Sequence, residues 1–327
     1  MRIFVNLYFL MVNESLSTKN KVLDILRNSS EYVSGELLSQ KTGVSRVSVW
    51  KAVQVLQNAG YGIVSDRNGY FLQQDLKDSL FPWEFGISEG AFTHFVETES
   101  TMREARKIIL SEEKKDLPKI TVVTADRQTN GHGHGDHGWT TTKGSLACTL
   151  ADKVSVSSAE AFRISMCAQI AAVNVLKKTG GRNFYARWPN DVWSDSGKVC
   201  GILDEYLSSG QRCEWVNIGI GINMYARPKI QNTDKVFDSE NAASRKDLLS
   251  SLCAEFLRVE KTALEDSCAL ENLWNSLCCD VGKKIILEQS GESFTFCGVN
   301  AYGWAVLESV DGGTKKIIPP GVNVFKK

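Results

Sequence analysis

The sequence predicts an α+β chain of several domains: a winged helix-turn-helix over residues 18–73, a connector over 74–90, an α/β domain over 91–278 and a small all-strand domain over 279–327. Three observations carry this. Short capped helical segments with a glycine between them precede an Asn-Gly hairpin signal. Apolar strand-like runs then alternate with long amphipathic stretches. Last comes a series of short strands punctuated by glycine turns. A length of 327 residues agrees with two or three domains.

In the first segment, Val22, Leu23, Ile25 and Leu26 suit a helix from Lys19 to Arg27. Ser34 caps a second helix that ends at Gly43, and Ser45 caps a third. Val47, Val49, Trp50, Val53 and Leu56 are expected on the inner side of that third helix. Tyr61–Ser65 and Tyr70–Leu72, around Asp66-Arg-Asn-Gly69, are expected to form the wing. On this plan Arg46, Ser48 and Lys51, next to the cap Ser45, lie at the groove-facing end of a recognition helix, and Arg67 in the wing can touch a phosphate or the minor groove. Pro82 marks the connector.

Further along, Phe95–Thr98 reads as a strand that ends at Ser100-Thr101, before a helix over Arg103–Leu110. Thr121–Ala125 is a buried strand, followed by the loop Asp126-Arg-Gln-Thr-Asn-Gly-His-Gly-His-Gly-Asp-His-Gly-Trp139. Phe162–Lys178 is an amphipathic helix stopped by Gly180-Gly181. Phe184–Arg187 leads into a Trp-Pro-Asn-Asp turn, where Pro189 fixes φ. Residues 201–206 and 213–224 are successive strands, 244–277 two helices, and 284–287, 294–296, 304–308 and 316–318 short strands.

Lys+Arg and Asp+Glu both number 38, so global charge favours no class of partner and any nucleic-acid contact must come from a local patch. The nine cysteines are scattered and form no Cys-x-x-Cys pair, which argues for reduced thiols in a cytoplasmic protein rather than a zinc ribbon. The apolar first twelve residues are too short to span a bilayer and no small-residue cleavage site follows, so no membrane association is expected. Met11 offers an alternative start.

The most informative feature is Tyr-Ala-Arg-Trp-Pro-Asn-Asp at 185–191, followed by Gly-Lys-Val-Cys-Gly-Ile-Leu at 197–203. The pair resembles the Lys-Trp-Pro-Asn-Asp and Lys-x-x-Gly-Ile-Leu segments of biotin protein ligases. The N-terminal segment (Ser-Gly-Glu-x-Leu, Gly-Val-Ser-Arg, Val-Trp-Lys) resembles the DNA-binding domain of bifunctional biotin ligase–repressors. The resemblance extends over residues 18–327. It implies a central mixed-sheet α/β biotin ligase domain closed by a C-terminal SH3-like β-barrel. It implies ATP, biotin and Mg²⁺ as cofactors, and as partners a biotin carboxyl carrier protein, operator DNA, and a second copy of the chain when ligand is bound.

By the same resemblance, Lys198, Arg187 and Asp191 handle the phosphate. Ser100, Thr101, Gln128, Gly131, His132, Gly201, Leu203, Gly219 and Gly221 hold biotin. His134, His137, Trp139, Asn190 and Asn223 hold ATP or the adenylate. Two departures stand out. Met102 follows Ser100-Thr101 where the family has Asn, and His132, His134 and His137 stand where the family's loop has arginines. Histidine supplies positive charge only when protonated, so a second reading is a biotin- or adenylate-sensing transcription factor with weak or lost ligase activity. A lipoate ligase ranks behind both. The run His132-Gly-His134-Gly-Asp136-His137 also resembles the metallo-β-lactamase signature, but the chain has four histidines and none after 137 to complete the metal sites; no metal centre is expected.

Overall fold

The computed structural model describes residues 15–76, 78–111, 117–133, 135, 138–239, 242–288, 290–310 and 312–320. They form two compact units, one up to residue 94 and one from residue 95 onward.

In the first unit, α1 (Thr18–Arg27), α2 (Gly35–Thr42) and α3 (Arg46–Asn58) each start at a serine whose hydroxyl accepts a backbone N–H: Ser17 from Asn20, Ser34 from Leu37, Ser45 from Ser48. Gly43 ends α2 at φ 73°, a left-handed conformation that glycine adopts without strain. Val22, Leu23 and Leu26 from α1, Leu38 from α2, and Val49, Val53 and Leu56 from α3 share one core. Val47 and Trp50 are instead 62% and 52% exposed. The apolar face of α3 follows Val49, Ala52, Val53 and Leu56, and the helical period carries Val47 and Trp50 away from it. Strands β1 (Gly62–Asp66) and β2 (Gly69–Gln74) pair antiparallel with Asp66 opposite Gly69. A Cβ at Gly69 would fall 2.2 Å from Val33 O, so only glycine permits the Val33–Tyr70 bridge beneath the hairpin.

Residues 78–90, within the stretch read as a connector, are packed. Pro82–Ala91 forms two 3₁₀ segments broken by a kink at Gly86, Trp83 is buried with the α1–α3 core, and its indole N–H donates to Tyr61 OH. Arg27 bridges Asp75 (Nε–Oδ2 2.9 Å) and Glu84 (Nη2–Oε1 2.8 Å). Leu80, Trp83 and Phe85 are the buried apolar residues of this stretch.

The second unit is built on a seven-stranded sheet. Its strands are β3 (Phe92–Thr98), β4 (Ile120–Gln128), β7 (Leu146–Ser157), β8 (Tyr185–Arg187), β9 (Asp191–Ser194), β10 (Gly197–Ser209) and β11 (Arg212–Ile222), in the order β3-β4-β7-β11-β10-β9-β8. The pairs from β4 to β8 are antiparallel. Between β3 and β4 runs α4 (Thr101–Leu110), and past the strand ends Thr129 N–H donates to Thr98 O and Asn130 N–H to Glu99 O. These partner numbers rise together, as in a parallel pair, so the sheet is mixed. A small ribbon of β5 (Gly131–His132) and β6 (Gly138–Trp139) flanks the glycine loop. The buried helix α5 (Ala161–Gly180) packs with α6 (Arg245–Glu265) and α7 (Ser267–Leu277).

The chain then forms β12 (Lys284–Ile286), β13 (Ser293–Val299), β14 (Ala305–Ser309) and β15 (Lys315–Ile318), an antiparallel sheet in that order. It is held to the helices by Asn275, which accepts from Val299 N–H and donates to Val299 O.

Candidate functional site

A cleft of about 860 Å³ opens on the face of the large sheet. Its floor is the glycine-bearing stretch of β10 and β11, where Gly201 lies opposite Gly221 and Leu203 opposite Gly219. One wall comes from Ser100, Thr101 and Gln128. Another comes from the hairpin of β8 and β9, and a third from Asp280, Lys283 and Lys284.

Lys198 Nζ is 2.6 Å from Asp191 Oδ1. Lys198 is fixed through its backbone: its N–H donates to Asn232 O, and its carbonyl accepts from Asp234 N–H. Asp191 opens β9, opposite Arg187 in the register of the hairpin. The turn between them contains a cis Trp188–Pro189 bond. It is braced from below by Gln169, which donates to both Arg187 O (3.0 Å) and Asp191 O (2.7 Å) and accepts from Trp274 Nε1 (2.6 Å). Asn190 faces β10, its side-chain amide donating to Ile202 O and its main-chain carbonyl accepting from Ile202 N–H. Its amide holds the hairpin edge as well as lining the cleft.

Arg187, expected at the phosphate, is engaged elsewhere. Its Nε is 2.9 Å from Asp280 Oδ2, and its guanidinium lies 4.3 Å from the Trp193 ring centroid. Lys283 shares the same carboxylate at 3.5 Å. The cleft lining therefore holds the cations Arg187, Lys198, Lys283 and Lys284 against the anions Asp191, Asp280 and Glu288. Anions enter a site with a surplus of positive side chains.

At the other end, Gln128 Oε1 accepts from both Thr101 N–H (2.8 Å) and Thr101 Oγ1 (3.1 Å), and the Thr149 hydroxyl donates to Thr101 Oγ1 (2.9 Å). Ser100 is buried beside them. Thr101 N–H belongs to the first turn of α4, so Gln128 occupies the helix N-terminus that an anion would otherwise take.

Gly201, Gly219 and Gly221 were expected to hold biotin. The structure places the chain's own side chains against them. A Cβ on Gly221 would lie 2.2–2.6 Å from the indole of Trp139, and one on Gly219 would lie 2.6 Å from Met102 Sδ. A Cβ on Gly201 would likewise lie 3.0 Å from the Trp139 ring, whose centroid stands 5.9 Å from Lys198 Nζ. Trp139 Nε1 is buried without a hydrogen-bond partner among the described residues, as is Asn223 Oδ1 on the cleft wall. Both are set to bind a polar ligand atom.

Gly131 does not line the cleft. It sits 2.5 Å, as a built Cβ, from Trp139 O, so its role is the close pairing of β5 with β6. His132 lies on that ribbon, exposed at the cleft mouth. His134, Asp136 and His137 lie outside the described residues, and among the described residues no group of three His, Cys, Asp or Glu is placed to hold a metal. Cys148 also lines the cleft; burial pushes its thiol well up and Cys200 up to about 12, so neither supplies a thiolate nucleophile near neutrality. Met102, Asp280, Lys283 and Lys284 were not singled out as site residues by motif. The last three reach the cleft only because the chain returns there 93 residues after Arg187.

In the first unit, Ser45, Arg46, Lys51 and Arg67 are exposed and Ser48 is half-buried. Ser45 and Ser48 are tied to each other as a cap, and Arg46 lies 3.8 Å from Glu36. The outward face of α3 thus presents Arg46, Val47, Trp50, Lys51 and Gln54.

Residues 95–223 match the model of the Biotin/lipoate A/B protein ligase family, and residues 18–71 match an HTH domain. The bifunctional ligase/repressor BirA of Bacillus subtilis is 27% identical over 202 residues, 61% of this chain and 62% of that protein. The biotin–[acetyl-CoA-carboxylase] ligase of Paracoccus denitrificans is 32% identical over 133 residues, 40% of this chain and 53% of its own length. This chain thus aligns with less than two thirds of either relative. The structure of the Aquifex aeolicus biotin protein ligase in complex with biotin and ATP superposes with a TM-score of 0.56 at 22% identity, covering 72% of this chain and 97% of that one; this likeness is one of fold.

Proposed function

We propose, from the match of residues 95–223 to the model of the biotin/lipoate A/B protein ligase family, that this chain is an ATP-dependent biotin–protein ligase joined to a DNA-binding repressor domain. One observation carries the reading. The Lys198–Asp191 pair and the Thr101–Gln128 cluster line the same cleft, joined by a glycine floor.

In the first step the biotin carboxylate attacks the α-phosphorus of ATP. The bond to the β-phosphate bridging oxygen breaks, and pyrophosphate leaves. Lys198 supplies a point charge to the phosphate oxygens while Asp191 holds its amine in place. Lys283 and Lys284 add charge from the terminal sheet side. Mg²⁺ would travel with the nucleotide and neutralise the pyrophosphate; Asp191 is the cleft carboxylate beside Lys198, and magnesium asks for one or two such groups besides phosphate oxygens. In the second step a lysine amine of the carrier protein attacks the acyl carbon and AMP leaves. Trp139 shields the anhydride from water at the plate of Gly201 and Gly221, and Asn223 Oδ1 accepts from a ribose hydroxyl.

The α3 face and Arg67 would contact operator DNA, and the small terminal sheet is read as SH3-like. The protein acts in the cytoplasm, with ligand-bound dimers on DNA. No helix among the described residues is long and apolar enough to cross a membrane. A sensor with weak ligase activity is the second reading, favoured by Met102 and Trp139 lying over the glycine floor. The deciding experiment mixes the protein with biotin, ATP, Mg²⁺ and a biotin carboxyl carrier domain. Mass gain on the carrier supports the ligase; none, with biotin still bound, turns the reading to the sensor.

A further inference from the structure

We propose that Met102 is a specificity-determining residue of the cleft, whose thioether occupies the space over Gly219 and sets the site against acids with a broad ring. This rests on the reading of the cleft as the site of a biotin-class acid. The geometry is direct: a Cβ built on Gly219 would meet Met102 Sδ at 2.6 Å and Met102 Cγ at 2.9 Å. The bare face of that glycine is therefore already covered. Across the sheet Gly219 faces Thr149 on β7 and Leu203 on β10, and the next bare positions of the floor, Gly221 and Gly201, lie under the Trp139 ring.

Met102 is 6% exposed and belongs to the first turn of α4, immediately after Thr101, whose N–H and hydroxyl are held by Gln128. Its backbone is thus anchored by hydrogen bonds next door, and its buried side chain is held by packing. Methionine is unbranched and can vacate a site by rotamer changes. A flat bicycle can reach Gly219 only by moving the thioether out, which costs the packing that Met102 now makes. A straight-chain acid can lie along the cleft without reaching Gly219. Met102 consequently discriminates by ring breadth and not by carboxylate or chain.

The test uses the full-length protein and two probes, biotin and octanoate, with binding measured by calorimetry in the absence of ATP. Met102→Ala and Met102→Val open the space; Met102→Leu keeps the volume. The two truncations should tighten biotin by about tenfold, the size of effect that one or two methylenes have in an apolar pocket. Octanoate should change by less than about twofold, and the leucine variant should stay near wild type for both. Thermal unfolding of each variant confirms a folded protein, and the second truncation guards against loss of fold in the first. Biotin binding that is unchanged or weaker in both folded truncations overturns the proposal. A wild type that takes octanoate but not biotin, with biotin gained on truncation, supports Met102 as selector while sinking the ligase reading. If no form binds either acid, both fall.

Discussion

Lys198 Nζ and Asp191 Oδ1 stand 2.6 Å apart at the cleft wall, the lysine on β10 and the carboxylate on β9. Each is held by its strand, so the pair is preorganised rather than collected by the ligand. Lys198→Ala should lower the rate of adenylate formation by at least about a hundredfold, in the range seen when one charge-stabilising donor is lost. The fold should survive, because the lysine side chain is 30% exposed. Pyrophosphate release from biotin and ATP measures the first claim and circular dichroism the second. An unchanged rate removes Lys198 from the chemistry.

Gly221→Ala should displace Trp139, since a Cβ there falls 2.2 Å from the ring. The rigid indole cannot yield locally as a flexible chain would. The expected readouts are a shift in tryptophan emission and a weaker hold on adenylate. Gly210→Ala is a poor control despite open space around it, because φ there is 61°.

Burial pushes the Asp204 carboxyl up to about 6 from its ordinary value of 3.8. A raised folded-state pKa means that the folded form holds the proton more tightly. Its contribution is full below pH 3.8 and is lost as pH rises through about 6. Asp204→Asn should remove this slope and stabilise the protein at pH 7 by up to about 3 kcal/mol. Urea unfolding at pH 4.5 and pH 7 decides it: parallel wild-type and variant curves would contradict the assignment.

Lys119 bridges Asp152, which is fully buried, and Glu260. Burial and the neighbouring Glu260 raise the Asp152 carboxyl well above its ordinary range. Lys119→Met leaves two carboxyls facing each other without their cation and, because the lysine side chain is 37% exposed, should cost about 1–3 kcal/mol. A change under about 1 kcal/mol would show that water already serves the pair.

On α3, Lys51→Ala should weaken binding to every duplex alike and reduce the slope of log affinity against log salt by about 1. Trp50→Ala should leave stability within about 0.5 kcal/mol, because the ring is exposed. It should reduce discrimination between duplexes if the indole meets bases, and gel shifts against two unrelated 20–30 base-pair duplexes (about that length spans the site) read both effects.

Helix caps and glycine turns were legible because they are local. Ser34 and Ser45 cap where their sequence spacing places them, and Gly43 ends its helix. Lys198 and Asp191 were legible as a motif because β9 and β10 are adjacent in the chain. What stayed hidden is long-range. The face on which Trp50 sits depends on how α3 docks, and its apolar character pointed inward. The occupants of the glycine floor, Met102 and Trp139, lie about 80 to 120 residues from Gly219 and Gly221. Arg187 carries the charge its motif position asks for, yet its partner Asp280 comes from a segment that no spacing rule connects to it.

Arg187 and Trp188 each hold a residue beyond α7: the guanidinium holds Asp280, and the buried indole N–H donates to Gly303 O at 3.0 Å. Cutting the polypeptide between residues 278 and 280 would therefore not release a passive appendage. It would strand a cation and an indole donor inside the hairpin that carries Asp191. Calorimetry should accordingly record the large sheet and the small one melting in a single transition, and a chain truncated after residue 278 should melt earlier with a disturbed cleft rather than as the same domain made shorter.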